Sequence, residues 1–471
     1  MRFKSVSTVE VAFGADDALP PPAGIEAPAG GQGPLGLLYG PYLDLREARY
    51  GALHARGVDL AFRNVERGVP PFHWHQQVHP PAFRPLLARH LNAPPVAAVS
   101  PRDALAHGGD GRTGRLLEWL DHVRDLSVPR RVALAKLLVK LGFDRYALEL
   151  FGEPGPVGRL GDDGAADLAY ILAAARSNLA TGYAIGPPGT SVTYWPGDLE
   201  RLAREAPPGS RARMSAAMLL CVLFGKIAKD ADAVARYAAV ARAAHDRLDT
   251  GGGPFHRDLL RSQLLRAVSF EPMLRGDRDA VTAQLDEAEE LARGLCAGDP
   301  DQELLRAENL ATLMETRTRE AQWRGDLDLA EARVRESVAL NELDPMRHIV
   351  LGEVLKQRGD WPGAAAAFER SARLGPSTSP VAWFMAGYAR ERLGDPEHAV
   401  TCYLSCLALD PGAVSATLRL RELLPRTGLP GLAEPCLDHL RSALRGRAPA
   451  GATGPRRLWD AAPRAGERAA R

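Results

Sequence analysis

Long apolar runs are missing from this chain of 471 residues, and so are a surplus of either charge sign and a cysteine framework. No hydrophobic stretch reaches the roughly 18 residues that a membrane-spanning helix needs, which excludes an integral helical membrane protein. The opening residues, MRFKSVSTVEVAFG, carry an early Arg and Lys, but no apolar segment follows them, so no secretory signal is expected. Basic and acidic residues number 59 and 58, giving a formal net charge of +1. No global field therefore draws the chain toward nucleic acid or anionic lipid. Lysine is scarce, at 6 residues against 53 arginines. The abundance of Ala, Gly and Pro beside that bias fits codon usage in a GC-rich genome of bacterial type. Five cysteines (Cys221, Cys296, Cys402, Cys406 and Cys436) are odd in number and scattered. That pattern predicts free thiols in a reducing cytoplasm rather than a disulfide scaffold.

What the chain does have is an internal repeat. Four turn signals recur near the C-terminal end: Gly325-Asp326, Gly359-Asp360, Gly394-Asp395 and the looser Gly428, spaced 34, 35 and 34 residues apart. Each is followed five residues later by an alanine: Ala330, Ala364, Ala399 and Ala433. A period of this length marks stacked helical hairpins. One unit reads Gly352, Gly359-Asp360, Ala364, Phe368, Ser371 and Pro376. The next reads Trp383, Gly387, Gly394-Asp395, Ala399, Tyr403, Cys406 and Pro411. In this pattern the small residues let two helices approach closely, the aromatic fills the space beside them, and the proline ends the second helix.

On these residues the chain resembles the tetratricopeptide-repeat family over about residues 311–445. The unit turning at Gly325 carries the bulkier Thr318 at the usual small position, and the unit at Gly428 has the reduced pattern of a terminal cap. The resemblance implies a superhelix of helical hairpins whose first helices line a concave groove.

Upstream, the runs 211–228, 231–248, 256–274, 277–295 and 301–324 read as longer hairpins, broken at Lys229-Asp230, Gly276-Asp277 and Gly325-Asp326. Val281, Leu285, Ala288, Leu291 and Leu295 step by three or four, one buried stripe on a helix. Residues 115–125, 129–151 and 165–181 also read as helical, with Ser127 and Asp163 as caps, and 186–210 as a Gly/Pro-rich loop around a short helix. The expected fold is mainly α, a helical-hairpin superhelix with a small mixed α/β module at its N-terminal end. Its divisions are 1–100 for that module, including a strand from Val6 to Phe13, and 101–210 for a helical segment. Elongated hairpins follow at 211–310, repeat units at 311–445 and a disordered Arg-rich tail at 446–471.

Aligned on the turn glycines, the first helices present Glu315, Arg319 and Gln322, then Ile349, Glu353 and Lys356, then Phe384, Tyr388 and Glu391. Each set is spaced i, i+4, i+7 and so shares one face. The expected partner-binding residues are Glu315, Arg319, Glu353, Lys356, Phe384 and Tyr388, taking a protein or peptide segment with apolar anchors. Some family members clamp a terminal carboxylate in this groove. Here Arg319 and Lys356 each have a Glu within one turn, and no Asn joins them, which argues against such a clamp. The bland alternative is a pair of solvated faces with Glu315–Arg319 and Glu353–Lys356 as intrahelical ion pairs.

A second candidate is His73, His75 and His79 in the segment PPFHWHQQVHPP. His73 and His75 would share one side of a strand and His75 and His79 one face of a helix, and imidazoles at this density suit zinc, iron or copper. Gly68, His73 and His75 resemble the first motif of the cupin barrel, with His79 where that motif has Glu, but no second motif follows. The alternative is a Pro-rich loop packing on Phe72 and Trp74. No phosphate-loop Lys and no triad, His-Glu-x-x-His or Cys-x-x-Cys pattern is present. The leading expectation is a non-enzymatic cytoplasmic scaffold binding a partner protein, and the rival a metal-dependent enzyme or sensor module on a helical-repeat scaffold.

Overall fold

The computed structural model describes residues 53–68, 111–140, 144–151, 163–180, 197–248, 253–341, 344–374, 379–409 and 413–427. Among them every regular element is helical. In chain order these are α1 (Leu53–Arg67), α2 (Gly111–Asp121), α3 (Val128–Lys140), α4 (Asp144–Phe151), α5 (Asp163–Ala180) and α6 (Gly197–Glu205). Next come α7 (Arg211–Leu223), running into a π-helical turn (Phe224–Ala228), then α8 (Ala231–His245), α9 (Gly253–Val268) and the short α10 (Phe270–Leu274). After α11 (Arg278–Gly294) come the hairpins α12 (Pro300–Arg324) with α13 (Leu327–Leu340), α14 (Pro345–Arg358) with α15 (Trp361–Leu374), and α16 (Ser379–Arg392) with the helix that follows it. Last are α17 (Pro396–Leu409) and α18 (Val414–Leu423). Consecutive helices pack side by side throughout α12 to α18.

The Gly-Asp dipeptides make these hairpins by two local devices. Gly325, Gly359 and Gly394 adopt φ of 85°, 80° and 74°, the left-handed conformation that closes the preceding helix. The aspartate after each then caps the next helix. Asp326 accepts from the Leu329 amide at 3.0 Å, Asp360 from Gly363 at 2.9 Å and Asp395 from His398 at 3.2 Å. The same chemistry recurs upstream. Gly276 (φ 77°) precedes Asp277, which accepts from Ala280 at 3.0 Å. Lys229 takes the glycine's place at φ 57°, and Asp230 accepts from Ala233 at 2.9 Å.

Packing keeps the same register over all five turns. The fifth residue after each left-handed position (Val234, Val281, Ala330, Ala364, Ala399) is buried, and so is the ninth (Ala238, Leu285, Val334, Phe368, Tyr403). Small and large residues are matched across each hairpin. A Cβ on Gly352 would stand 2.6 Å from the Phe368 ring and one on Gly387 2.8 Å from the Tyr403 ring. Where Thr318 replaces the glycine, the ninth position is the smaller Val334. Ser337 and Ser371, both twelve residues past their turns, donate to the carbonyls of Ala311 and Pro345 at 3.1 and 2.8 Å.

Several expectations change. The run 129–151 resolves into α3 and α4, and 256–274 into α9 and α10, where Ser269 donates to the Arg266 carbonyl at 2.8 Å. The small mixed α/β module is not supported. Among the described residues of the first 100 there is α1, which packs on α3 and α12 and pairs Arg63 and Arg67 with Asp301. The proposed strand at Val6–Phe13, the Gly/Pro loop of 186–196, Pro376, Pro411, Gly428, Ala433 and the Arg-rich tail lie outside the described residues. No helix among the described residues is long and apolar enough to cross a membrane. Cys221, Cys296, Cys402 and Cys406 are free thiols.

Candidate functional site

The first helices of the repeat units, α12, α14 and α16, carry the residues expected on one face. Glu315 and Arg319 form an ion pair at 2.6 Å and Glu353 and Lys356 one at 2.5 Å. Gln322 donates to Gln357 at 3.0 Å, tying α12 to α14 along that face. The aromatic end differs from expectation. Phe384 and Tyr388 are half-buried rather than exposed. Phe384 lies 5.6 Å from the Tyr403 ring, Tyr388 meets Trp361 edge-on at 5.8 Å, and the Arg419 guanidinium covers the Tyr388 ring at 5.6 Å. Neighbours on α15, α17 and α18 explain them without a ligand. Glu391 is likewise engaged, accepting from the Tyr403 hydroxyl and lying 3.6 Å from Arg419.

The polar end is richer than its two repeat residues suggest. Three further cations gather around Glu315. Lys226 comes from the π turn after α7, its Nζ 3.9 Å from the Glu315 carboxylate, and Arg347 comes from α14 at 3.5 Å. Arg266, from α9, is close enough to feel Glu315, Arg347 and Arg319, and Lys226 feels all four. Arg347 is firmly held, donating to the Ala311 carbonyl at 2.7 Å and the Ser337 hydroxyl at 2.9 Å, with Asp344 at 3.3 Å. Arg266 has 6 % of its surface exposed, and its guanidinium makes no hydrogen bond or ion pair among the described residues; its Nε is fully buried.

The electrostatics follow from this crowding. Burial, and then the Arg319 charge, push the Lys226 ammonium down to about 7, against the opposing pull of Glu315. Burial also brings Arg266 down to about 10, with Glu315 opposing and Arg347 and Arg319 adding to the shift. By contrast, the carboxylate of Glu289 in α11 is well supplied with partners. It binds Arg293 at 2.8 Å and Arg317 at 3.1 Å and also meets Arg333, so α11, α12 and α13 are joined by a balanced network.

Sequence spacing did not bring Lys226, Arg266 and Arg347 to this place. Local spacing did not flag Arg266 either: Leu259, Gln263 and Arg266 step by four and three and are all buried, but the stripe they form is mixed in polarity. His73, His75 and His79 lie outside the described residues. Glu369, His398 and Cys402 do place three donor atoms within 4.8 Å of one another. The Glu369 carboxylate, however, already pairs with Arg390 at 2.7 Å, and a guanidinium in contact with a would-be ligand opposes a cation there.

The turns, caps and ring-to-glycine contacts define a helical-hairpin solenoid that resembles tetratricopeptide-repeat proteins in α12 to α18. No protein-family model matches the chain, and no curated protein does. Among solved structures it is similar to a monomeric mutant of IFIT1 with Gppp-AAAA, at 12 % identity and a TM-score of 0.29, covering 70 % of this chain and 86 % of that one. It is also similar to the Cut9–Hcn1 hetero-tetramer of the APC/C, at 14 % identity and a TM-score of 0.24, covering 87 % and 95 %. Both are tetratricopeptide-repeat proteins. At these scores neither bears on what this chain binds.

Proposed function

We propose that this chain is a non-enzymatic interaction scaffold of the cytoplasm, whose first-helix face takes a protein partner or peptide segment. The observation that carries this reading is the constant turn register. It sets Glu315 and Arg319, then Glu353 and Lys356, on successive parallel positions, with Gln322 and Gln357 hydrogen-bonded between them. A row of polar side chains at regular helical spacing is suited to an extended or helical segment. Phe384 and Tyr388 remain candidate apolar contacts at the far end, through the parts of their half-buried rings that stay accessible.

Because both rings are packed within the chain, truncating them would perturb folding and binding together. A cleaner test places a photo-crosslinking amino acid at Lys356, and separately at the exposed Leu329 on the opposite helix of a hairpin. The Lys356 derivative is expected to capture a discrete partner that a Glu353→Lys change displaces. Equal capture from both positions, or capture indifferent to that change, would count against the assignment. The rival metal-module reading rests on His73, His75 and His79 alone, and metal content in tag-free protein decides it.

A further inference from the structure

We infer that Lys226, Arg266, Arg319 and Arg347 form a binding site for a phosphate dianion where the π turn, α9, α12 and α14 meet. The four cations share one central carboxylate. Arg319 binds Glu315 at 2.6 Å, Arg347 lies 3.5 Å from it and Lys226 3.9 Å. A single carboxylate can accept from several donors but carries only one negative charge. Asp344 offsets part of the Arg347 charge at 3.3 Å. With Lys226 protonated, four positive charges against these two negative ones leave an excess of two in a largely buried place.

Arg266 shows that the excess is built in rather than spread over the surface. Its guanidinium is more than nine-tenths buried, yet it makes no hydrogen bond or ion pair among the described residues. Buried charged groups in native proteins are paired, because leaving one unpaired costs the full desolvation penalty. Arg317, equally buried, shows the contrast: it is paired with Asp286 at 2.6 Å, Glu289 at 3.1 Å and Glu320 at 2.7 Å. The unpaired Arg266 therefore points to a counter-charge from outside the polypeptide.

Geometry also supplies an approach. Lys226 and Arg319 retain 29 % and 39 % of their side-chain surface and Arg347 only 10 %, and Arg266 is buried. An oxyanion entering from the Lys226 side would meet the ammonium and Arg319 first and the Arg266 fork last. Planar guanidinium forks match phosphate oxygens in pairs, and two negative charges cancel the excess that a monoanion would leave half compensated. The site shares Glu315 and Arg319 with the first-helix face, but Lys226 and Arg266 come from outside the repeat units, and a phosphate titration without any peptide reads it separately from the scaffold reading.

Calorimetric titration of the full chain with inorganic phosphate at pH 8 tests this. One saturable site per chain is expected, with an observed heat that varies with the ionisation enthalpy of the buffer. The reason is that the ammonium of Lys226, faced by Arg266, Glu315, Arg319 and Arg347, takes up a proton as the dianion arrives. Arg266→Met is expected to weaken binding at least tenfold while the Tm stays level or rises, since the change removes an unpaired buried charge. Lys226→Met, on the more open side, is expected to weaken binding and abolish the buffer dependence. Absence of a saturable site in the wild-type chain would overturn the proposal, as would unchanged affinity in both variants. A hexose phosphate and a phosphoserine peptide, each against its unphosphorylated form, distinguish a small metabolite from a modified segment as the source. Equal binding of the unphosphorylated forms would also overturn it.

Discussion

Lys226 shows how one side chain can report on its whole surroundings. An ordinary lysine carries its proton to about pH 10.4, but burial and the neighbouring guanidinium of Arg319 bring this one down to about 7 in the folded chain. Between those limits the unfolded chain binds a proton that the folded chain does not. Stability attributable to Lys226 therefore rises as pH increases from about 7 toward 10.5 and is flat below 7. Urea unfolding at pH 7, 8.5 and 10 is expected to show this positive slope in the wild-type chain and a smaller one in Lys226→Met. A slope identical in the two proteins would mean that Lys226 is solvated. The ion pairs Glu315–Arg319 and Glu353–Lys356 were legible from sequence because both partners sit within one helical turn. The cluster around them was not. Lys226 and Arg347 are 121 positions apart in the chain, and only the stacking of four helices brings them together. Local spacing carries no information about such meetings.

Between helices, the contact of Gly352 with Phe368 sets two opposing effects against each other. Alanine favours a helix interior over glycine by about 1 kcal/mol. A Cβ at this position, however, would lie 2.6 Å from a ring that is 0 % exposed and has nowhere to move. Overpacking of this kind costs roughly 1–3 kcal/mol, so Gly352→Ala is expected to lower stability by about 1 kcal/mol net. The double variant Gly352→Ala/Phe368→Leu is expected to recover part of the loss, as read by denaturant unfolding. A more stable Gly352→Ala protein would show that the hairpin can open at this point. This contact was legible in sequence, since turn, small residue and aromatic recur at a fixed period, and each has a single physical task. The burial of Phe384 and Tyr388 was not. Their partners, Tyr403, Trp361 and Arg419, belong to neighbouring helices whose distance from them no periodicity predicts.

For the molecule as a whole, cohesion is uneven. One core runs from α1 through α10 and includes residues as far apart as Ala61 and Phe270. The C-terminal hairpins have smaller cores shared only with adjacent helices. α1 adds a link across the sequence through Asp301 of α12, where Arg63 and Arg67 dock, and α3 adds another through Lys140, 3.6 Å from Glu308 of α12. In a stack whose stability is a sum of neighbour contacts, helices held by smaller cores and fewer cross-links open before the rest. Amide exchange is therefore expected to proceed faster in α16, α17 and α18 than in α11, α12 and α13, where the Glu289 network joins three helices. Uniform protection along the chain would contradict this. The sequence made the helical class plain over most of these elements. It placed residues 53–67 in a separate mixed module because Pro and Gly nearby dominate the pattern, whereas α1 packs against helices far along the chain.

The pairing of ring with glycine and of threonine with valine bears on how such a chain avoids assembling in the wrong order. Repeated segments can mispair by skipping a neighbour during folding. Were α14 to take α13 as its hairpin partner in place of α15, Val334 would underfill the hollow at Gly352. The displaced Phe368 would then find only the branched Thr318 unclaimed. Each junction thus fits its own companion better than the next one along, which gives units built on one plan a means of telling themselves apart.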